Sequence, residues 1–190
     1  MTQLTRRGLT LGLGAFGLTA TGLTAACNNG IGSGGAAEID ARADSTVAHM
    51  LQAYPGTQDL MNRAAGMLVM PVMTEVGLGL GGSYGRGALR IQQVTVDYYS
   101  AASASAGFQI GAQQYSHVLF FMSQESLGQF RTSYGWAAGA DIDYAIAANG
   151  DMLRAETTTS MAPVIAVVFA QSGLRVGATI EGTKYTRIIP

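Results

Sequence analysis

The chain has one thiol, Cys27, and its neighbours define what that sulfur can do. It follows Leu23-Thr24-Ala25-Ala26 directly, at the end of an uncharged run that begins after Arg6-Arg7. A basic start, an apolar middle and small residues at the cut are the parts of an export signal. Paired arginines at its head point to the twin-arginine route, which carries folded proteins. A cysteine directly after the small residues looks like a bacterial lipobox, whose thiol takes acyl chains such as palmitate. Two alternatives compete with this reading. A plain signal cut after Ala26 would leave Cys27 unpaired in an oxidising compartment. Residues 8–26 also approach the ~20 needed to span a bilayer, but contain Gly8, Gly12, Gly14, Gly17 and Gly22 and no Ile, Val or Met.

Other residues with chemical potential are sparse. His49 and His117 have no Asp or Glu at metal-ligand spacing, and a structural metal site usually needs four Cys or His ligands. No metal or other cofactor is expected. His117 opens an apolar strand and reads as a packed histidine rather than a general base. Asp141 and Asp143 can share a strand face, where a solvated edge explains them. There is no Gly-x-Ser-x-Gly elbow, although a triad assembled only in space leaves no sequence trace. Gly79-x-Gly81 and Gly82-x-x-Gly85 approximate a dinucleotide fingerprint. A strand-like Leu89–Val96 follows, however, where the phosphate site needs a helix. Arg86, Arg90, Lys184 and Arg187 lie in strand-like segments near glycine turns. They read either as a scattered solvated face or as a patch for phospholipid headgroups, since guanidinium forks bind phosphate bidentately.

Several elements must position these groups. Residues 28–37 are rich in Gly, Ser and Asn and read as a flexible tether. Ile39, Ala43, Val47, Met50, Leu51 and Tyr54 recur at helical spacing. Pro55-Gly56 ends that helix, and Thr57 is placed to cap a second one through Ala65. Strands are expected at Met67–Met70, ended by Pro71, then at Ala88–Tyr99, Gly107–Gln113 and His117–Met122. Ser123 should cap a short helix holding Leu127 and Phe130. Ala140–Ala148 leads into Asn149-Gly150, a hairpin signal. The wholly apolar Val164–Ala170 reads as a central strand, followed by Leu174–Ile180 and Thr183–Ile189. Phe120 and Phe121 point to opposite faces, so that segment should be buried on both. Trp136, between glycines, reads as a core plug. Gly81, Gly82, Gly85 and Gly87 strip side chains from a strand, which permits tight curvature or the close approach of a ligand or backbone. The fold class is therefore α+β: an antiparallel, strongly curved sheet or barrel-like core with short helices mostly at the N-terminal end.

Removing residues 1–26 leaves 164 residues, enough for one domain. It leaves nine basic against twelve acidic residues, a formal charge of −3. That balance offers no global field for nucleic acid. With one cysteine no intramolecular disulfide can form, so the fold stands on packing. An outer-membrane barrel is disfavoured because its aromatic girdles are not evident.

The ordered series Ala65–Pro71, Gly81–Leu89, Tyr98-Tyr99-Ser100, Ser105–Gln113, Gly135-Trp136, Gly173–Gly177 and Gly182-Thr183-Lys184 resembles the SYLF domain, across roughly Ile39 to Ile188. The resemblance implies a phospholipid-binding module, and its bacterial branch looks like exported lipoproteins. Its eukaryotic members use a basic amphipathic N-terminal helix, whereas residues 39–54 hold only Arg42. The expected organisation is a signal peptide at 1–26, a lipidated Cys27 with its tether at 27–38, and a SYLF-like domain at 39–190. The expected product is a non-enzymatic protein, tethered in the bacterial cell envelope and facing the periplasm. Its partner would be a phospholipid membrane. Asn28, which is not the aspartate that retains lipoproteins at the inner membrane, favours the outer one. The rival readings are a structural or protein-interaction module of the envelope and a hydrolase with a cryptic triad.

Overall fold

The computed structural model describes residues 33–139, 142–146, 162–169 and 180–190. Helix α1 (Gly35–Ala53) buries Ile39, Ala43, Thr46 and Met50 along one stripe, the helical spacing seen in the sequence. It starts four residues before Ile39, so the end of the glycine-rich stretch is helical rather than tether. Gly35 N donates to Ser33 Oγ at 3.1 Å, and Arg42 pairs with Glu38 one turn earlier at 2.7 Å. Helix α2 (Thr57–Arg63) follows the Pro55-Gly56 break and stops two residues short of Ala65. Thr57 is its first residue rather than its cap, and its hydroxyl donates back to Tyr54 O at 2.7 Å. No helix among the described residues is long and apolar enough to cross a membrane.

Two very long strands dominate the rest. Strand β1 (Gly66–Ile91) and strand β2 (Val94–Phe121) pair antiparallel from Gly66 opposite Phe121 to Ile91 opposite Val94. Several segments read as separate strands are therefore one ribbon. Pro71 does not end its strand, because it sits where the register slips between Met70 and Met73 and no ladder donor is required. Its carbonyl accepts from Ser116 Oγ at 2.6 Å. Conversely, the expected strand Ala88–Tyr99 is split by a two-residue turn. Gln92 and Gln93 have φ of 50° and 67°, the left-handed conformation that a type I′ turn imposes on both central residues.

The ribbon curls until the two ends of β1 face each other. A Cβ on Gly87 would overlap Val69 O, and one on Gly85 would lie 2.5 Å from Val72 O. A Cβ on Gly66 would stand 3.1 Å from Arg90 O and from Leu127. No side chain fits between these backbones, so glycine is required where they pass.

Helix α3 (Gln124–Thr132) begins as expected at Ser123, whose Oγ accepts from Ser126 N at 3.1 Å in a reciprocal capping box. The remaining strands are β3 (Trp136–Ala137), β4 (Ile142–Ile146), β5 (Val164–Phe169) and β6 (Lys184–Ile188). The sheet order is β3-β6-β2-β5-β4, with β1 on the other edge of β2. All pairings are antiparallel except β4 with β5. The fold is thus α+β with a strongly curled sheet, as its composition and spacing imply. Strand β5 is central, and all six of its residues are buried. Asn149-Gly150, Asp141 and residues 174–179 lie outside the described residues.

The sheet carries a core on each face. On one, Leu68, Met70, Leu89, Tyr99, Leu119 and Phe121 pack with Leu127 and Phe130 of α3. On the other, Val69, Ala88, Val118 and Phe120 pack with Ile39, Ala43 and Met50 of α1. Phe120 and Phe121 are both fully buried, one in each core. Trp136 is only partly buried and rests against Phe130 and Tyr185 at the margin of the α3-side core.

Three changes measure these constraints in urea denaturation. Gly87→Ala should cost about 3 kcal/mol or more, since Val69 is backbone and cannot step aside. Gly128→Ala on α3, where a Cβ meets nothing within 4 Å, should instead stabilise by about 0.5–1 kcal/mol. Replacing Gln92-Gln93 with Asn-Gly should raise stability by about 1 kcal/mol, by removing left-handed strain.

Candidate functional site

The four cations singled out in the sequence do not form one patch. Strand register puts Arg86 in a row with Ser100 and Thr186, and Lys184 in the next row with Ala102 and the exposed Tyr84. Arg86 and Lys184 therefore share the α1-side face of the sheet. Arg187 stands opposite Tyr99, on the α3-side face.

Arg90 is nearly buried and is engaged by α1. Its Nη1 lies 2.7 Å from Asp44 Oδ1, and its Nη2 donates to Asp40 O at 3.3 Å. Asp40 also accepts from Thr95 Oγ1 at 2.8 Å and from Tyr98 OH at 2.7 Å. Burial, the bond to Asp40 and that carboxylate's charge push the Tyr98 phenol up to about 12, so it remains a donor. These contacts fasten the N-terminal half of α1 to the tip of the ribbon.

Asp97 organises a second cluster that the sequence did not announce. Its side chain is only 3% exposed. Its Oδ1 meets Arg187 Nη2 at 2.5 Å, and its Oδ2 accepts from Arg131 Nε and Nη2, each at 3.2 Å. The arginines are 65% and 42% exposed, so each keeps donors facing water. One buried carboxylate thus fixes two guanidinium groups at the ribbon tip. The Tyr99 phenol beside it is held protonated by burial and by the Asp97 charge. The one available signal was parity, since Asp97 falls on the same face as the apolar Tyr99 and Leu119. Arg131 comes from α3, and no spacing links it to Asp97.

The remaining candidates are interior or structural. His117 is fully buried, and its Nε2 is 2.8 Å from Tyr185 OH. Its Nδ1 has no hydrogen-bond partner among the described residues, so no serine or carboxylate is aligned on it. Burial pushes its pKa down to about 3. A sealed, neutral imidazole packs against Tyr115 and Tyr185 and reaches no external substrate. His49 is exposed and lies against Phe169. Gly85 and Gly87 admit their own strand's backbone, and Gly82 faces Ser103 O at 3.1 Å from its Cβ position. Gly81 is half-buried beside it. Among the described residues no three His, Cys, Asp or Glu side chains converge as a metal site. Arg6, Arg7 and Cys27 lie outside the described residues.

Two measurements follow. The unfolded chain binds a proton at His117 below about 6.5 while the folded chain stays neutral to about 3, so acid favours unfolding. Stability should fall as pH drops through that window, by up to about 1.4 kcal/mol per pH unit from this group. The stability–pH curve of His117→Gln should be flatter by that slope. At the tip, the double variant Arg131→Ala/Arg187→Ala strands a buried carboxylate and should cost about 3 kcal/mol. Asp97→Asn should cost less, because its arginines already reach water. Urea midpoints compare the two.

The match to known families covers the later part of the fold. No curated protein matches the chain. Residues 102–187 match the model of a family described as "Ysc84: Las17-binding protein actin regulator". The matched region runs from within β2 through α3 to β6, and includes Lys184, Arg131 and Arg187 of the clusters above. The opening motif at residues 65–89 lies outside it. The matched stretch is 86 of the chain's 190 residues.

Proposed function

We propose that this chain is a non-enzymatic protein of the bacterial cell envelope, anchored by acyl chains on Cys27, whose SYLF-like domain contacts phospholipid. The observation that carries this reading is the family match over residues 102–187, a match to binding domains. Arg6-Arg7 and the residues before Cys27 supply the export and attachment signals, with the domain facing the periplasm and the outer membrane favoured. The domain follows a short tether and takes in α1 and everything after it.

A second reading is a protein-interaction module whose only lipid is its own anchor. The family's description names a protein, Las17, as what its members bind, and this favours a protein partner here. Flotation of residues 28–190 with vesicles decides between the two. Co-flotation with phosphatidylcholine/phosphatidylglycerol vesicles is expected. No flotation with anionic or neutral vesicles, together with one stoichiometric crosslinked envelope protein, would establish the second reading. Mass spectrometry of the mature N-terminus should find acyl mass on Cys27, whereas an unmodified cysteine there would remove the anchor.

A further inference from the structure

The ribbon tip has an unusual distribution of side chains, set by a bulge. Between Leu89 and Arg90 the register slips, with Leu89 opposite Asp97 and Arg90 opposite Thr95. The extra residue is Val96. Thr95 and Tyr98 both donate to Asp40 of α1, so both point to the α1 side. Strict alternation would send them to opposite faces. The bulge leaves Val96 as the unpaired residue between Thr95 on the α1 side and Asp97 on the α3 side, and Val94 lies opposite Ile91, which packs on the α3-side core. Ile188, the last paired residue of β6, stands opposite Tyr98, and Ile189 follows it as the chain leaves the strand.

The result is a small apolar rim around a cationic centre. Val94 is 65% exposed, Ile189 70% and Val96 39%, and Tyr134, three residues beyond Arg131, is fully exposed. On the α3-side face, inside the rim, Arg131 and Arg187 share one carboxylate and leave an excess positive charge there, while Arg90 on the α1-side face is met by Asp40 and Asp44. The chain also enters the domain at this end. Asp40, bonded to the tip, is five residues into α1 from Gly35, and the helix then runs away toward Phe169, which meets His49 and Tyr54. Only seven residues separate Cys27 from Gly35. Fully extended, they reach about 25 Å.

We infer that the ribbon tip is the surface that docks on the membrane, with Arg131 and Arg187 taking lipid phosphates while Val94, Val96, Tyr134 and Ile189 enter the headgroup boundary. This rests on the phospholipid reading above and assigns it to a different surface from the Arg86–Lys184 face. Guanidinium groups already held by Asp97 lose little freedom on meeting a phosphate and can do so bidentately. Aliphatic side chains beside them gain by leaving water at the acyl boundary. The occupant is an anionic bilayer, because the centre is cationic and α1, which seven residues separate from Cys27 in the sequence, begins at the same end.

The test uses residues 28–190, which contain every core residue described and no cysteine. Vesicle partition is compared for the native sequence, for Val94→Ser/Val96→Ser/Ile189→Ser and for Arg86→Gln/Lys184→Gln, with melting curves confirming that each is folded. The triple variant should partition more than about tenfold more weakly into phosphatidylglycerol vesicles, and the double variant close to the native level. A fluorophore on Gln93→Cys should be quenched by a lipid-phase quencher, and one on Gln58→Cys of α2 should not. Native-level partition of the triple variant, or quenching at residue 58 alone, overturns the tip as the docking surface while the phospholipid reading stands. Absence of native partition into any vesicle overturns both.

Discussion

The structure depends on two backbones passing where no side chain fits. Gly85 and Gly87 lie against the carbonyls of Val72 and Val69, in the same strand and fewer than twenty residues earlier. That contact turns a straight ribbon into a curl. The curl in turn brings Arg90 to the start of the strand, next to Gly66 and Leu127. Without it the ribbon would present two long edges and no enclosed face. With it, α3 and α1 each find a concave or convex surface to cover. The glycines act through what they lack, and their positions matter more than their total.

A sheet with a core on each face needs few charges, and those present are used at its margins. Asp40 and Asp44 hold α1 to the ribbon, and Asp97 holds α3 and β6 to the same end. Both sets join elements distant in sequence through a largely buried group with several partners. Such an arrangement fixes geometry more than it adds stability, because desolvation offsets much of the attraction. The polar interior around His117 and Tyr185 is likewise shielded from solvent, which separates it from any surface chemistry.

Much of this was legible in the residues. The α1 stripe, the Ser123 cap, the doubly buried Phe120-Phe121 and the central Val164–Phe169 follow from periodicity and cap chemistry, which are local. The failures have local causes as well. Gln92-Gln93 lacks the Asn or Gly that marks a left-handed turn, so a hairpin was read as one strand. Pro71 was read as a terminator because its bulge depends on Ser116, forty-five residues away. Glycine in the first turn of α1 masked a helix that packing stabilises despite poor propensity. The cluster at Asp97 draws on three elements, and pairing across such distances leaves no periodic trace. Four cations near glycine turns formed a sensible group on paper, but strand parity and one helix distribute them over two faces and a buried contact.

The position of the Gln92-Gln93 turn also sets how the domain can come together. Ile91 and Val94 are neighbours in sequence, whereas Gly66 and Phe121 are joined only after fifty-odd residues have been brought into register. Loop-closure entropy makes pairing cheapest at the turn and progressively dearer away from it. The ribbon therefore closes from the tip toward its base. Gly87 meets Val69 across eighteen residues of the same strand, so the curl joins the first-paired end of the ribbon to the last-paired one. Each core draws on both ends of β1. The two cores are coupled through one event, and the domain has no half that can be folded while the other is open.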